Sequence, residues 1–457
     1  MAEVARPVRP VRSVDAPLDA TIRPPGSKSI TNRALVCAAL ARGASELHGV
    51  LIADDTEAMI DCLRALGVSI VPRPPDRSVV QNQEDPSGSA QQNGERNTVR
   101  VVGCGGRPPA EGAILDARLS GTTSRFLAPV ATLARGTVVL DGAEPLRRRP
   151  MAAVLDALER LGADVDPLGE PGHLPVRITA ARRQRLGGRV EVSGDVSSQF
   201  LSGLLLAAPC FDDGLDVTVS TALVSVPYVR LTIEVMRSFG AVVDHADDWS
   251  AVRVASGGYD AVGRYEVEPD ASAASYWAAA AVIAGGTVRI DGLGHGSCQG
   301  DVGFIDLLAR MGAEVTWSDR DVVISSTDSL HGIDVDMSDI SDTAQTLAVV
   351  APFADSPTTV RGIGFIRGKE TNRISAVVTE LRRLGIDAEE HDDGFSVRPG
   401  PVSPGDVRTY DDHRMAMSFA LLGLRTPGIR IVDPDCVAKT YPGFWQDLAR
   451  VSAPGSP

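Results

Sequence analysis

The chain has 457 residues, is 43% hydrophobic, 23% charged and only 4% aromatic, and carries a formal net charge of −14. That length exceeds one ordinary core, so two or more domains are expected, and the acidic balance argues against nucleic acid or an anionic membrane as a partner. Six scattered cysteines without a CxxC pair suggest neither a disulfide framework nor a zinc site, and no apolar run is long enough to span a bilayer.

The N-terminal stretch MAEVARPVRPVRSVDAP is basic with no apolar core behind it. It reads as a tail and not as a secretory signal, so the cytoplasm is the expected compartment. PPGSKSITNR, Pro24 to Arg33, then sets Lys28, Ser29 and Arg33 at the mouth of a small, apolar helical run. Unpaired N–H groups and a partial positive charge attract anions to such a mouth. Ser29 and Arg33, four apart, share one face. A capped helix with solvated charges accounts for the same residues, so this stretch alone leaves both readings open. It is not a P-loop, because Ser27 and not Lys follows Gly26.

Arg73 to Asn97 is polar and rich in Gly, Pro, Gln and Asn, and reads as a surface excursion. VVGCGGRPP, Val101 to Pro109, faintly echoes a dinucleotide fingerprint, but two prolines stand where its helix should begin. Beyond it an internal repeat becomes visible. LARGTVVLDGAEPLRRRPMAAVLDALERLGADVD and IAGGTVRIDGLGHGSCQGDVGFIDLLARMGAEVTW share a helix end, Gly-Thr-Val, a strand, a loop, an amphipathic helix and a second strand. In the first copy Val154, Leu155, Leu158 and Leu161 make the apolar stripe and Gly162 stops the helix. Four looser copies bring the count to six βαβ-like units, the last truncated, in two halves of three. The pattern reads as α/β in two related domains.

Each unit is preceded by a small-residue helix with a polar start. The first half offers hydroxyls and cations in GSKSITNR, LSGTTSRF and GDVSSQF. The second half offers carboxylates in PDASAASYW, SDISDTAQT and YDDHRMAM. FIRGKETNR packs Arg367, Lys369, Glu370 and Arg373 at a helix start, which a solvated face could also explain. YDDHRMAM sets Asp412, His413 and Arg414 against an apolar helix, where bare charge is costly unless used or paired. Lys439 stands in the otherwise apolar DCVAKTYPGF.

Taken in order with EPLRRRP, VSVPY and AKTYPGFWQDLARV, these stretches resemble the enolpyruvyl transferases over nearly the whole chain. The resemblance implies two domains, each of three βαβαββ units with helices packed inside, an inside-out α/β barrel with a hinge. It places the domains at 27–268 and at 1–26 with 269–457, the first binding mainly shikimate 3-phosphate and the second carrying the acid and base. The implied reaction moves the enolpyruvyl group of phosphoenolpyruvate to shikimate 3-phosphate and releases phosphate, in a cytoplasmic monomer that needs no cofactor or metal. Lys28, Ser29, Arg33, Ser197, Ser198, Gln199, Ser225, Tyr228, Asp342 and Lys369 would contact shikimate 3-phosphate. Lys28, Gly121, Arg149, Gln199, Arg373, Arg414 and Lys439 would contact phosphoenolpyruvate. Asp342 would serve as base, Glu370 as acid and Lys28 as shuttle. Glyphosate is an expected inhibitor, because Gly121 is kept. Phe365, Asn372 and Phe126 depart from the family pattern. Transfer to UDP-N-acetylglucosamine is the nearest rival, but it needs an Asn at Ser29 and a reactive loop cysteine. A non-catalytic anion binder is the other.

Overall fold

A computed structural model describes residues 6–73, 97–179, 185–195 and 197–453. Positions 74–96 of the polar excursion lie outside the described residues. The chain divides into two compact units, Met1–Pro24 with Pro269–Pro457, and Pro25–Glu268. Each is built by repeating one motif.

The repeat is clearest at Gly112–Thr179. The strand Gly112–Asp116 runs into the helix Gly121–Ala131, and the strand Thr137–Asp141 returns parallel to the first. The helix Ala152–Arg160 follows, then the antiparallel strands Asp164–Pro167 and Val176–Thr179, the second pairing with Thr137–Asp141. This is βαβαββ. Gly188–Val192, Leu215–Val219, Ala251–Val254 and Val243–His245 form a second sheet of the same order and sense. In the third, the first strand is supplied by Tyr265–Glu266, from the end of the segment, parallel to Ala44–His48.

The other unit repeats the scheme. Leu18–Ile22 lies parallel to Gly286–Asp291, and Asp334–Asp336 lies parallel to Thr358–Arg361. The last sheet has three strands, Gly405–Arg408, Ile429–Val432 and Val8–Pro10. Here the expectation of an N-terminal tail is corrected. Val8–Pro10 pairs antiparallel with Ile429–Val432 in register Val8↔Val432. It takes the place of the strand that the truncated sixth repeat lacks, because an open sheet edge would otherwise leave its backbone groups unpaired.

The small-residue helices are the interior. Every residue of Gly121–Ala131 is buried, and so is every residue of Ser198–Ala207 except Gln199. Ala271–Ala284 (ASAASYWAAAAVIA) is buried everywhere except at Ser272 and Ala284, as a helix surrounded by protein is. Small residues let these helices approach closely: a Cβ on Gly203 would sit 2.3 Å from the Arg125 carbonyl oxygen. Some buried hydroxyls in the cores bond to one another. Thr346 Oγ1 lies 3.2 Å from both Ser275 and Ser418, so one hydroxyl from each of three inner helices meets in the second unit's core. The outer helices are amphipathic; Ala152–Arg160 buries Val154, Leu155, Ala157 and Leu158. Among the described residues no helix is long and apolar enough to cross a membrane.

Candidate active site

In the unit Pro25–Glu268, the polar residues gather at the N-termini of the inner helices. Ser27 caps Lys28–Leu40, Ser120 caps Gly121–Ala131 and Ser197 caps Ser198–Ala207, each side chain accepting a backbone N–H of the first turn. Side chains then bind these ends to one another. Lys28 Nζ lies 3.3 Å from Asp55, whose backbone carbonyl accepts the Thr123 hydroxyl at 3.3 Å. Gly121 faces Arg149: a Cβ there would stand 2.9–3.0 Å from the guanidinium atoms, so only glycine leaves that cation its place. The Gln199 amide is held from both sides. Arg125 Nη1 donates to its Oε1 at 2.5 Å, and its Nε2 donates to Thr122 at 3.3 Å.

Arg33 is buried, with its guanidinium above the Phe126 ring at 5.1 Å. It donates to Thr232 Oγ1, to the Ser29 carbonyl and to the Tyr228 carbonyl at 2.7, 2.8 and 3.1 Å. Arg33 therefore fixes the two segments that carry Ser29 and Tyr228. Phe126 has a place of its own as the apolar floor under this cation. Ser225, just before the helix Val226–Ser238, stands in the left-handed region at φ 56°, a conformation that costs a non-glycine residue about 1 kcal/mol or more. Lys28, Arg33, Arg149, Ser197, Ser198 and Ser225 give this unit cations, hydroxyls and helix N-termini, the donors that an anion requires.

In the unit of Met1–Pro24 and Pro269–Pro457 the site is a charge network centred on Arg373. Only 2% of its side chain is exposed. Nε donates to Asp412 at 2.8 Å, Nη1 to Asp342 at 2.9 Å and Nη2 to Glu370 at 2.8 Å. Burial opposes its charge, yet the carboxylates of Asp412, Glu370 and Asp342 hold its pKa above the ordinary arginine value. Arg414 donates to the Asp342 carboxylate at 2.7 Å and to its backbone carbonyl at 3.0 Å. Lys439 donates to Glu370 at 2.9 Å. Asp412 caps the helix His413–Ala420 through Arg414 N. Three cations and three carboxylates thus interlock within this unit. Lys369 Nζ lies 6.0 Å from the Phe365 ring centre.

The departures from the family pattern gain physical accounts. Asn372 caps the helix Arg373–Arg383 by accepting Ser375 N at 3.2 Å, a task that Asn and Asp perform equally well. Arg367, part of the same charge run, is tied to Asn372, Ser375, Glu390 and two backbone carbonyls, so it braces the loop. Reading the sequence missed Arg125, Asp55, Ser272 and Asp301. A lone arginine within the otherwise small, uncharged LSGTTSRF helix was a usable signal for Arg125; QGDVGF gave none for Asp301.

Five of the six cysteines are poor sources of thiolate. Burial pushes the thiols of Cys62, Cys210 and Cys436 up to about 12, and those of Cys37 and Cys104 upward as well.

The fold is shared with solved structures. An EPSP synthase from Acinetobacter baumannii superposes with a TM-score of 0.78, at 26% identity and 98% coverage of both chains. The enolpyruvyl transferase NikO from Streptomyces tendae gives 0.75 at 20% identity, again over 98% of each, and so speaks for the fold. The two-domain inside-out α/β architecture is that of an enolpyruvyl transferase. The family model for EPSP synthase (3-phosphoshikimate 1-carboxyvinyltransferase) matches residues 13–448. The 3-phosphoshikimate 1-carboxyvinyltransferases of Nostoc punctiforme and Yersinia pseudotuberculosis are 42% and 41% identical, over 95% of this chain and 97% and 96% of theirs. The chain belongs to the EPSP synthase family.

Proposed function

We propose that the protein transfers the enolpyruvyl group of phosphoenolpyruvate to the 5-hydroxyl of shikimate 3-phosphate and releases phosphate, a step of the shikimate pathway. One observation carries the mechanistic reading: neighbouring nitrogens of the single Arg373 guanidinium hold Asp342 and Glu370. One cation thereby fixes a candidate base and a candidate acid against each other, the preorganisation that a two-step proton transfer needs.

In this reading Asp342 takes the proton of the attacking hydroxyl as its oxygen bonds to C2 of phosphoenolpyruvate. Glu370 gives a proton to the methylene carbon, and a tetrahedral intermediate forms. Elimination reverses the carbon protonation: the C2–O bond to phosphate breaks and a methyl proton returns to the enzyme. Lys28 serves as shuttle and touches both substrates. Ser29, Arg33, Ser197, Ser198, Ser225, Tyr228 and Lys369 hold shikimate 3-phosphate, and Gln199 faces both substrates. Arg373 and Arg414 hold the phosphoenolpyruvate carboxylate, for which forked guanidinium groups suit, and Arg149, Lys439 and the Gly121 backbone hold its phosphate. The working form is a cytoplasmic monomer, a reading that rests on the acidic composition. Glyphosate competes at the Gly121 side, and a Ki no better than millimolar would refute that.

The test is phosphate release from phosphoenolpyruvate, with shikimate 3-phosphate against UDP-N-acetylglucosamine as acceptor. Release with the first alone supports the reading; release with the nucleotide sugar alone overturns it.

A further inference from the structure

Asp301 is a buried acid that the proposed acid, base and anion contacts do not use. It lies in the 3-10 turn Gly300–Val302 and is 5% exposed. Its Oδ2 accepts the Ser272 hydroxyl. The same Ser272 oxygen accepts Arg414 Nη2 at 3.4 Å, and that nitrogen also donates to Asp342 Oδ2 at 2.7 Å. Asp301, Ser272, Arg414 and Asp342 are one chain of hydrogen bonds that ends on the proposed base. Gln299 anchors the start of Ser272's helix, accepting Ala271 N at 3.1 Å and donating to the Pro269 carbonyl at 2.7 Å.

The charges facing Asp301 are Asp342 and Asp270 on one side of the balance and Arg414 on the other. Burial, then Asp342, push its carboxyl up to about 6, against Arg414 and the Ser272 hydrogen bond. Keeping a carboxylate here opposes folding wherever it is ionised. Asparagine could accept the same Ser272 hydrogen bond without that penalty, so a purely structural role does not call for Asp.

We propose that Asp301 is a positioning residue that, through Ser272, holds Arg414 shared between two carboxylates and so available to the carboxylate of phosphoenolpyruvate. Without the Asp301 charge, the deepest well left to Arg414 is a full bidentate fork on Asp342. That withdraws the cation from the substrate and blunts the base. The inference rests on the functional reading above.

Asp301→Asn is isosteric and tests it, with kcat and KM for phosphoenolpyruvate measured from pH 5.5 to 8.5 at saturating shikimate 3-phosphate. At pH 8 kcat/KM falls about tenfold, the equivalent of one pKa unit of lost charge interaction. The loss is mainly in KM, fades below pH 6, and accompanies a raised Tm at pH 8. Ser272→Ala, which cuts the same link, shifts KM in the same direction and decides the matter if Asp301→Asn does not fold. Unchanged KM with a profile parallel to the parent overturns the proposal. A parent inactive with shikimate 3-phosphate overturns the functional reading, and this inference with it.

Discussion

Lys439 Nζ donates to Glu370 Oε1 at 2.9 Å, across 69 positions of sequence. With Arg373 on the other carboxylate oxygen, Glu370 is held rigidly between two cations. Glu370→Gln keeps the shape and removes the acid. It lowers kcat by about 10²–10⁴-fold, the usual worth of a general acid, and leaves both KM values within a few-fold. Steady-state kinetics decide: a change confined to KM would make Glu370 a binding residue.

Arg125 fixes which end of the Gln199 amide faces which neighbour. Arg125→Met leaves Gln199 free to flip and costs a charged hydrogen bond of about 2 kcal/mol, roughly thirtyfold in kcat/KM for phosphoenolpyruvate. Arg125→Lys recovers part of that loss. Equal kcat/KM values in parent and Arg125→Met would contradict the positioning role.

Gly121→Ala puts a methyl against the Arg149 guanidinium. The cation is the far end of a flexible side chain, so the fold survives and the cation moves. The KM for phosphoenolpyruvate rises about tenfold through one weakened charged hydrogen bond, while the affinity for shikimate 3-phosphate alone stays unchanged. Calorimetric titration checks the second half of the prediction; a matching loss there would assign Gly121 to the other substrate.

Asp301 also makes a stability prediction. Its folded pKa is raised from 3.8 to about 6, so its contribution is complete below the unfolded value and is lost as pH rises through about 6. Relative to the parent, Asp301→Asn gains stability above pH 6, by at most about 3 kcal/mol. Melting curves at pH 5 and pH 8 show the difference growing with pH; a difference independent of pH would contradict the sign.

Thiol alkylation separates this protein from a cysteine-dependent relative. With Cys62, Cys210 and Cys436 pushed up to about 12, iodoacetamide at pH 7.5 leaves phosphate release intact over an hour. Rapid inactivation traced to any of these three would contradict the assignment.

Much of this architecture was legible because it repeats. Gly-Thr-Val strands, amphipathic helices and small-residue helices recur at matched places, and the structure puts each small-residue helix inside. LSGTTSRF and YDDHRMAM betrayed polar helix mouths because charge beside an apolar run is costly. What escaped depends on partners distant in sequence. Val8–Pro10 completes a sheet whose other strands lie at the far end of the chain. Arg125 meets Gln199 across 74 positions, and Asp301 meets Ser272 across 29. No local pattern marks those pairings, since neither partner's own neighbourhood changes when the bond is made.

The most direct test of the mechanism is to run the reaction in D₂O and examine the methylene group of the product by NMR. Protonation of that carbon by Glu370, followed by elimination, predicts deuterium in the product's methylene with the parent and almost none formed by Glu370→Gln. Product released at the normal rate with an undeuterated methylene would contradict addition and elimination through a protonated carbon, and with it the roles given to Asp342 and Glu370.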